Sequence, residues 1–233
     1  MIGTNTLFFA LLGGVLPTLL WLWFWLREDA RPEPRRLIML AFFAGMLAVA
    51  VALPVEEFLA RSIGGSSLLI IWAGIEEIAK FAIVYVLVLR RREMDEPIDA
   101  IIYMITAALG FAAIENSLFL INPIGHGQII DSLITGNMRF FGATLLHTLS
   151  SSVVGISMAF LFYRKKLLRR EALAVGVILA IALHALFNFL ILGSNGKEIF
   201  FTFFGVWIGV IGLIFVFERV KKVRRSRFVY LGK

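Results

Sequence analysis

Apolar segments long enough to cross a lipid bilayer follow one another along almost the whole of this chain. A membrane-spanning helix needs about 20 apolar residues, and seven segments of the sequence reach that length. The mean hydropathy of +0.89 is well above that of an ordinary globular domain. The sequence therefore predicts an all-α bundle of about seven transmembrane helices, forming a single integral-membrane domain over 1–233, with spans at approximately 5–26, 37–59, 67–89, 98–121, 138–163, 172–192 and 199–217.

The connections between these segments are too short to hold a soluble domain. The longest connection, 122–137, contains proline and glycine residues, which favour a loop. The first segment has no basic residue before it and is longer than the apolar part of a signal peptide. We therefore interpret the first segment as a true span of a multi-pass protein of the cell membrane.

Basic residues are concentrated in alternate connections. Of the 23 Lys and Arg residues, 19 follow the first, third, fifth and seventh apolar segments, the last group lying in a basic tail at 218–233. Because basic residues favour the cytoplasmic side of a membrane, the N-terminus is expected outside and the C-terminus inside. The net charge of +7 is thus explained by topology, with anionic lipid as a further contact of the tail, and does not indicate nucleic-acid binding.

Three ionisable residues interrupt the third apolar segment. Glu76, Glu77 and Lys80 fall within an arc of about 100° and so share one face of a helix. Each charge at the centre of a bilayer costs roughly 2.5–3.5 kcal/mol on insertion scales. Helix packing does not require such a cost, so these three residues predict a functional site.

Four more polar residues lie inside the later apolar segments. Glu115 is in the fourth segment, His147 is in the fifth, and His184 and Asn188 lie one helical turn apart in the sixth. At 1.5 Å per residue, Glu76 and the first three of these lie roughly 9–14 Å below the outer membrane surface. We therefore expect side chains from four helices to meet in the outer half of the bilayer.

Three carboxylates and one ammonium would give this site a charge of −2 if all were ionised. A pocket of low dielectric constant resists that charge, so Lys80 is expected to pair with one glutamate. The remaining charge would be relieved by protonation of a glutamate, by a protonated histidine or by a bound cation. A carboxyl group of raised proton affinity beside a histidine is a pair that can activate water.

Four short motifs follow one another on separate segments: E-E-x-x-K at 76–80, F-x-x-x-E at 111–115, a lone histidine at His147, and H-x-x-x-N at 184–188. In these motifs the chain resembles the PrsW family of intramembrane proteases, part of a wider clan with the CAAX prenyl proteases and Abi proteins. The resemblance covers about 67–192. It implies hydrolysis of a peptide bond in a membrane-anchored protein, such as an anti-sigma factor, near the extracytoplasmic side.

The resemblance also implies roles for individual residues. By analogy with the CAAX proteases, Glu76 would be the base that activates water, while His184 and Asn188 would polarise the scissile carbonyl. Those relatives have a histidine where this chain has Glu115, so His147 is the alternative partner of the water. The catalytic residues implied in this way are Glu76, Glu77, Lys80, Glu115, His147, His184 and Asn188.

Other protease chemistries do not fit the sequence. The chain has no cysteine, no G-x-S-G motif of a rhomboid-like serine protease and no H-E-x-x-H motif of a site-2 zinc protease. Its four aspartates lie in connections or at segment ends, which does not suit a presenilin-like enzyme. Metal-independent glutamate chemistry is favoured, with zinc as the alternative, held by His147, His184 and Glu76.

A proton- or cation-coupled transporter is the alternative from another class of protein, because buried Glu, Lys and His side chains also build proton relays. Against it, the polar residues cluster at one depth, and the sequence contains no inverted repeat.

Several other polar residues are interpreted without a catalytic role. Glu56 and Glu57 are expected at the membrane interface, and Asn116 and 150–152 are expected to pack between helices.

Overall fold

Helices make up almost all of the structure, a computed structural model that describes residues 3–29, 31–192 and 197–223. No strand occurs in these ranges, so the predicted all-α bundle is confirmed. In chain order the elements are α1 (Thr4–Leu26), α2 (Arg35–Ala60), α3 (Ser66–Val84) with a π-helical turn (Tyr85–Leu89), α4 (Pro97–Gly125), α5 (Ile129–Met138) with a π-helical turn (Arg139–Ala143), α6 (Thr144–Phe160), α7 (Lys166–Leu192) and α8 (Lys197–Val220).

Among the described residues, six stretches of helix are long and apolar enough to cross a membrane. They are α1, α2, α4, the continuous stretch Ile129–Phe160 that contains α5 and α6, α7, and the part of α8 over Phe200–Val220. The remaining predicted span, 67–89, corresponds to α3 and its π-helical turn, and its apolar surface is interrupted by Glu76, Glu77 and Lys80. Because α3 packs between α2 and α7, we keep the prediction that it also crosses the membrane.

The fourth helix, α4, is the centre of the bundle. It packs against α1, α2 and α6, and residues 97–113 are all buried. Small residues let the backbones of α2 and α4 touch: a side chain at Gly45 would meet the carbonyl oxygen of Ala107 at 1.9 Å, and one at Gly110 would meet that of Phe42 at 1.9 Å. Close backbone approach of this kind is how membrane helices gain packing contacts without a hydrophobic driving force.

The loop predicted over 122–137 is wrong, because most of this connection is helical. Pro123 lies in the last turn of α4, which continues to Gly125, and α5 begins at Ile129. Pro123 cannot donate a backbone hydrogen bond to the preceding turn, and α4 ends two residues after it. Gly127, with φ of 68°, makes the turn between the two helices, since this left-handed conformation suits glycine.

The two ends of the bundle differ in their contacts. At one end, ion pairs join the α1–α2 connection, the α3–α4 connection and the end of α8: Arg31 with Glu96, Arg36 with Glu93 and Lys221 with Glu28. At the other end, the start of α1 lies beside the end of α4, where Thr6 faces Gly125. The start of α1 and the end of α8 therefore lie on opposite sides, as an odd number of spans requires. The outward N-terminus remains a prediction from the basic connections.

The contact between α2 and α4 makes Gly110 a sensitive position. We expect Gly110→Ala to lower the free energy of unfolding by about 1–3 kcal/mol, because the added methyl group forces two backbones apart. Chemical unfolding of the protein in detergent micelles measures this loss. Gly212→Ala in α8 is the matched control, because a methyl group there meets no atom within 4 Å. Equal unfolding of the two variants would contradict the close contact.

Candidate active site

Side chains from α3, α4, α6 and α7 meet at one level of the bundle, as expected from their depths. The structure brings together six of the seven residues that the sequence singles out: Glu76, Glu77, Lys80, Glu115, His147 and His184. All of them are buried except Glu115, which is half-buried. Their assembly is thus a finding, whereas the catalytic role of each remains a prediction.

Glu76 lies between the two histidines. Its Oε2 atom is 3.8 Å from Nδ1 of His147 and 3.7 Å from Nε2 of His184. This oxygen is buried and has no hydrogen-bond partner among the described residues, although buried carboxylate oxygens normally have one. The two imidazole rings meet edge to face at 4.9 Å. Glu76 Oε2 therefore faces one nitrogen of each imidazole, beyond hydrogen-bond distance of both.

Glu77, by contrast, is fully satisfied. Its oxygens accept hydrogen bonds from Lys80 Nζ at 2.6 Å, Ser150 Oγ at 3.0 Å and Ser151 Oγ at 2.7 Å, and one of them lies 2.9 Å from His184 Nδ1. Both Glu77 and Lys80 have side chains that are 0% exposed. A carboxylate with four donors is stabilised in its charged form, so Glu77 is the glutamate that pairs with Lys80.

Glu115 connects the site to Arg139, a residue whose part in the site the sequence reasoning missed. One oxygen of Glu115 lies 2.8 Å from His147 Nε2 and 2.5 Å from Arg139 Nη2, while Arg139 Nε donates to Asn116 Oδ1 at 2.6 Å. The guanidinium also lies 3.9 Å from the ring centre of Phe119. The position of Arg139 at the start of the fifth apolar segment, on the side where the glutamates lie, is the signal that indicates it.

Glu56 and two serines of α6 are more closely connected to the site than the sequence predicts. Glu56 is half-buried, its Oε1 atom has no partner among the described residues, and its charge lies close enough to interact with Glu76 and Glu115. Glu57 is exposed, as expected for the interface. Ser150 and Ser151 hold Glu77, so their hydroxyl groups belong to the site and do more than pack between helices.

Asn188 stands apart from this network. It lies one turn further along α7 and is half-buried, and its side chain forms no hydrogen bond within the described ranges. Phe111, the first residue of the second motif, packs its ring 5.3 Å from that of His147 and 4.6 Å from Lys80 Nζ. These contacts give Phe111 a direct part in the site, where it covers one side of His147.

Hydrogen-bond partners indicate where each neutral imidazole holds its proton. His184 donates from Nδ1 to Glu77, and His147 donates from Nε2 to Glu115. The other nitrogen of each ring, 3.7 or 3.8 Å from Glu76 Oε2, is then an acceptor, and Nδ1 of His147 accepts from Lys80 Nζ at 3.2 Å. Carboxylate–histidine pairs of this kind also support metal ligands, and one ligand atom from each of Glu76, His147 and His184 lies within 4.8 Å of the others.

This donor set fits a divalent metal ion. Two imidazoles and a carboxylate are the ligands of many catalytic zinc sites, and the unpartnered Glu76 oxygen is a feature that an ion would explain. The trio is the same that the sequence named for zinc. Lys80 Nζ lies 3.2 Å from His147 Nδ1 and would have to leave that nitrogen to the ion, remaining paired with Glu77.

The contacts of the two adjacent glutamates predict different effects on stability. We expect Glu77→Gln to lower the free energy of unfolding by about 3–5 kcal/mol, because it leaves Lys80 buried without a counter-charge. Glu76→Gln should change it by less than about 1 kcal/mol, because Glu76 Oε2 has no hydrogen bond to lose. Denaturant titration of both variants in the same detergent tests the difference. Equal losses of unfolding free energy in the two variants would contradict the different environments of Glu76 and Glu77.

Comparison with known proteins assigns this arrangement to a family. Residues 33–218 match the model of the PrsW family intramembrane metalloprotease. Protease PrsW of Clostridioides difficile (strain 630) is 28% identical over 228 residues, covering 94% of this chain and 93% of the relative. Protease PrsW of Geobacillus kaustophilus (strain HTA426) is 26% identical over 212 residues, covering 88% and 86%. Protease PrsW of Bacillus subtilis (strain 168) is 25% identical over 210 residues, covering 87% and 89%.

No solved structure matches the chain. The family model covers well over half of the sequence, and it includes all seven residues singled out above. Membership in a protease family favours a peptide hydrolase over the transporter that the sequence left open. The chain belongs to the PrsW family of intramembrane proteases and is a multi-pass enzyme of the cell membrane.

Proposed function

We propose that the protein hydrolyses a peptide bond of a membrane-anchored protein near the extracytoplasmic side of the membrane, with Glu76 activating the water. The observation that supports this most directly is the unpartnered Oε2 atom of Glu76, which faces His147 and His184 at 3.8 and 3.7 Å. A water molecule between these groups would have both a proton acceptor and two fixed neighbours.

The distribution of charge indicates on which side of the membrane the site would lie. The ion-paired end of the bundle holds the basic connections and is taken as cytoplasmic. On α4, Glu115 lies 17 residues from Ile98 at that end, or about 25 Å along the helix. The site would then lie in the outer half of the bilayer. An anti-sigma factor, anchored in the membrane with an extracytoplasmic part, is the kind of substrate that this depth suits.

Proton transfer in the site would begin at Glu76. In the metal-free form, its carboxylate takes a proton from the water, and the hydroxide attacks the scissile carbonyl. The C–N bond then breaks, and the proton taken by Glu76 is delivered to the leaving amine. Glu77 is a poor candidate for this step, because four donors stabilise its charged form. Glu77 instead orients His184, while Glu115 orients His147. Both are positioning residues in this proposal.

Polarisation of the carbonyl is the second requirement. A neutral His184 that donates from Nδ1 to Glu77 presents a lone pair at Nε2, so it must gain a proton before it can donate to a developing oxyanion. Asn188 has a free amide on the same face of α7, one turn away. We therefore assign the initial hydrogen bond to the substrate carbonyl to Asn188. His184 contributes while it holds the proton of the water, received from Glu76, before that proton reaches the leaving amine.

A metal ion would be held by Glu76, His147 and His184. When bound, it would polarise the carbonyl as a Lewis acid and lower the pKa of a bound water. Glu76 would then contribute to water activation as a ligand, while Glu77 and Glu115 would hold the two imidazoles in the orientation needed for binding. The donor set described above favours this form over the metal-free chemistry that the sequence alone favours.

Loss of the Glu76 carboxylate is the central test. We expect Glu76→Gln to reduce cleavage at least 100-fold, because the amide keeps the volume of the side chain but neither takes a proton nor binds a metal well. Membrane proteomes of cells that express wild type or Glu76→Gln would identify substrates by their fragments, and the purified pair would then give the rates. Glu57→Gln, the same change on an exposed side chain of α2, is the matched control. Cleavage by Glu76→Gln at the wild-type rate would exclude the mechanism.

Chelation tests the metal separately. We expect about one zinc ion per chain in purified protein, loss of cleavage after rigorous chelation, and recovery when zinc is returned. His184→Gln should lower the zinc content, which is measured by elemental analysis and does not depend on a substrate. Full activity of metal-free protein would instead support the metal-independent chemistry expected from the sequence.

A further inference from the structure

A polar cavity lies at the opposite end of the bundle from the candidate active site. It has a volume of about 520 Å³ and is formed by the α1–α2 connection, the start of α4, the segment after α6 and the end of α8. Its charged lining residues are Asp29, Arg31, Asp95, Glu96 and Lys221. This is the end where ion pairs join the basic connections, so the cavity opens on the side assigned as cytoplasmic.

Asp29 is the unusual residue of this cavity. It is only 8% exposed, and its Oδ1 atom accepts a hydrogen bond from the backbone N–H of Arg31 at 2.9 Å. Its Oδ2 atom is buried and has no partner among the described residues. Burial raises the pKa of the Asp29 carboxyl, which reflects the cost of holding a charge there without a counter-ion. A cation in the cavity would offset that cost.

The cations that already line the cavity are engaged elsewhere. Arg31 pairs with Glu96, and Lys221 Nζ lies 2.6 Å from Glu218 and 3.6 Å from Glu28. Asp29 and Asp95 therefore leave spare negative charge on the cavity wall. Within the described ranges, groups of three or more metal-ligating side chains occur only at Glu76, His147 and His184. An organic cation suits the cavity better than a metal ion.

We propose that this cavity binds a Lys or Arg side chain from the cytoplasmic flank of the protein substrate. The inference rests on the proposed function, because it assumes a membrane-anchored substrate. Membrane-spanning proteins carry Lys and Arg in the residues that flank their spans on the cytoplasmic side. A guanidinium pairs well with a lone carboxylate. The cavity and the site are about 25 Å apart along α4, so the bound residue lies roughly 17 helical residues from the scissile bond.

The chain itself offers a second source of the same chemistry. Val223 lines the cavity, and the sequence that follows it contains Arg224, Arg225, Arg227 and Lys233, which lie outside the described residues. A Lys or Arg from this tail would compete with one from a substrate. The experiment therefore needs arms that separate the two sources.

Binding of a tetra-arginine peptide to the full-length protein in neutral detergent tests the site without any proteolysis. We expect Asp29→Asn to weaken binding at least about tenfold, because a charge-assisted hydrogen bond is lost while the Oδ1 acceptor for Arg31 is kept. Glu57→Gln at the other end of the bundle is the control and should bind as wild type does. A tetra-citrulline peptide should not bind. Equal affinity of Asp29→Asn and wild type would overturn the proposal.

Two further variants complete the design. If Asp29→Asn fails to fold, Asp95→Asn, on an exposed side chain of the same cavity, should weaken binding by about threefold, and unchanged binding there overturns the proposal. The triple variant Arg224→Gln, Arg225→Gln, Arg227→Gln should bind the peptide as wild type does. A tenfold gain in affinity for the peptide would overturn the assignment to the substrate and would indicate that the basic tail of the chain occupies the cavity.

The peptide assay also separates this proposal from the proposed function. Glu76→Gln should bind tetra-arginine with wild-type affinity, because Glu76 lies at the other end of the bundle. Loss of cleavage in Glu76→Gln with unchanged peptide binding supports both proposals. Cleavage by Glu76→Gln would overturn the catalytic mechanism alone. Peptide binding that is equally strong in Asp29→Asn and wild type would overturn the proposal for the cavity alone.

Discussion

The buried ion pair of Glu77 and Lys80 is the interaction on which the rest of the site depends. Neither side chain reaches solvent, so each charge is tolerable only because the other is present. Glu77 also accepts hydrogen bonds from two serines of α6 and contacts His184 of α7. One carboxylate thus joins three helices, and it fixes the orientation of a histidine. Its neighbour Glu76 has one oxygen, Oε2, without a hydrogen-bond partner in the described part of the chain.

The same logic extends outward through the second histidine. His147 contacts Glu115, and Glu115 contacts Arg139 in the π-helical turn before α6. Each imidazole is therefore held by a carboxylate, and each carboxylate is held by a cation. Such chains of paired charges keep side chains in one geometry inside a medium of low dielectric constant. The arrangement is pre-organised before any substrate arrives, as the proposed activation of water by Glu76 requires.

Much of this could be predicted from the sequence, because a bilayer penalises every charge inside it. The segments, the all-helical fold and the meeting of four helices at one depth all follow from that penalty. The different environments of Glu76 and Glu77 did not follow, because adjacent residues of one helix have the same depth, and it is partners from α6 and α7 that distinguish them. Arg139 and Glu56 were missed since long side chains near a span end reach several ångströms along the helix axis. The helical course of 122–137 was missed because prolines and glycines mark helix ends only to within a few residues.

The charged face of α3 has a consequence for how the protein is made. As the chain leaves the ribosome, α3 is synthesised before α6 and α7, which supply the serines and the histidine that contact Glu77. At that stage Glu76, Glu77 and Lys80 each add roughly 2.5–3.5 kcal/mol to the cost of insertion. The pairing of Glu77 and Lys80 within one helix lowers that cost, but it does not remove it. The contacts that compensate the charged face of α3 are therefore complete only after α6 and α7 have joined the bundle. The buried charges of the site thus tie the stability of an early helix to two helices that are synthesised after it.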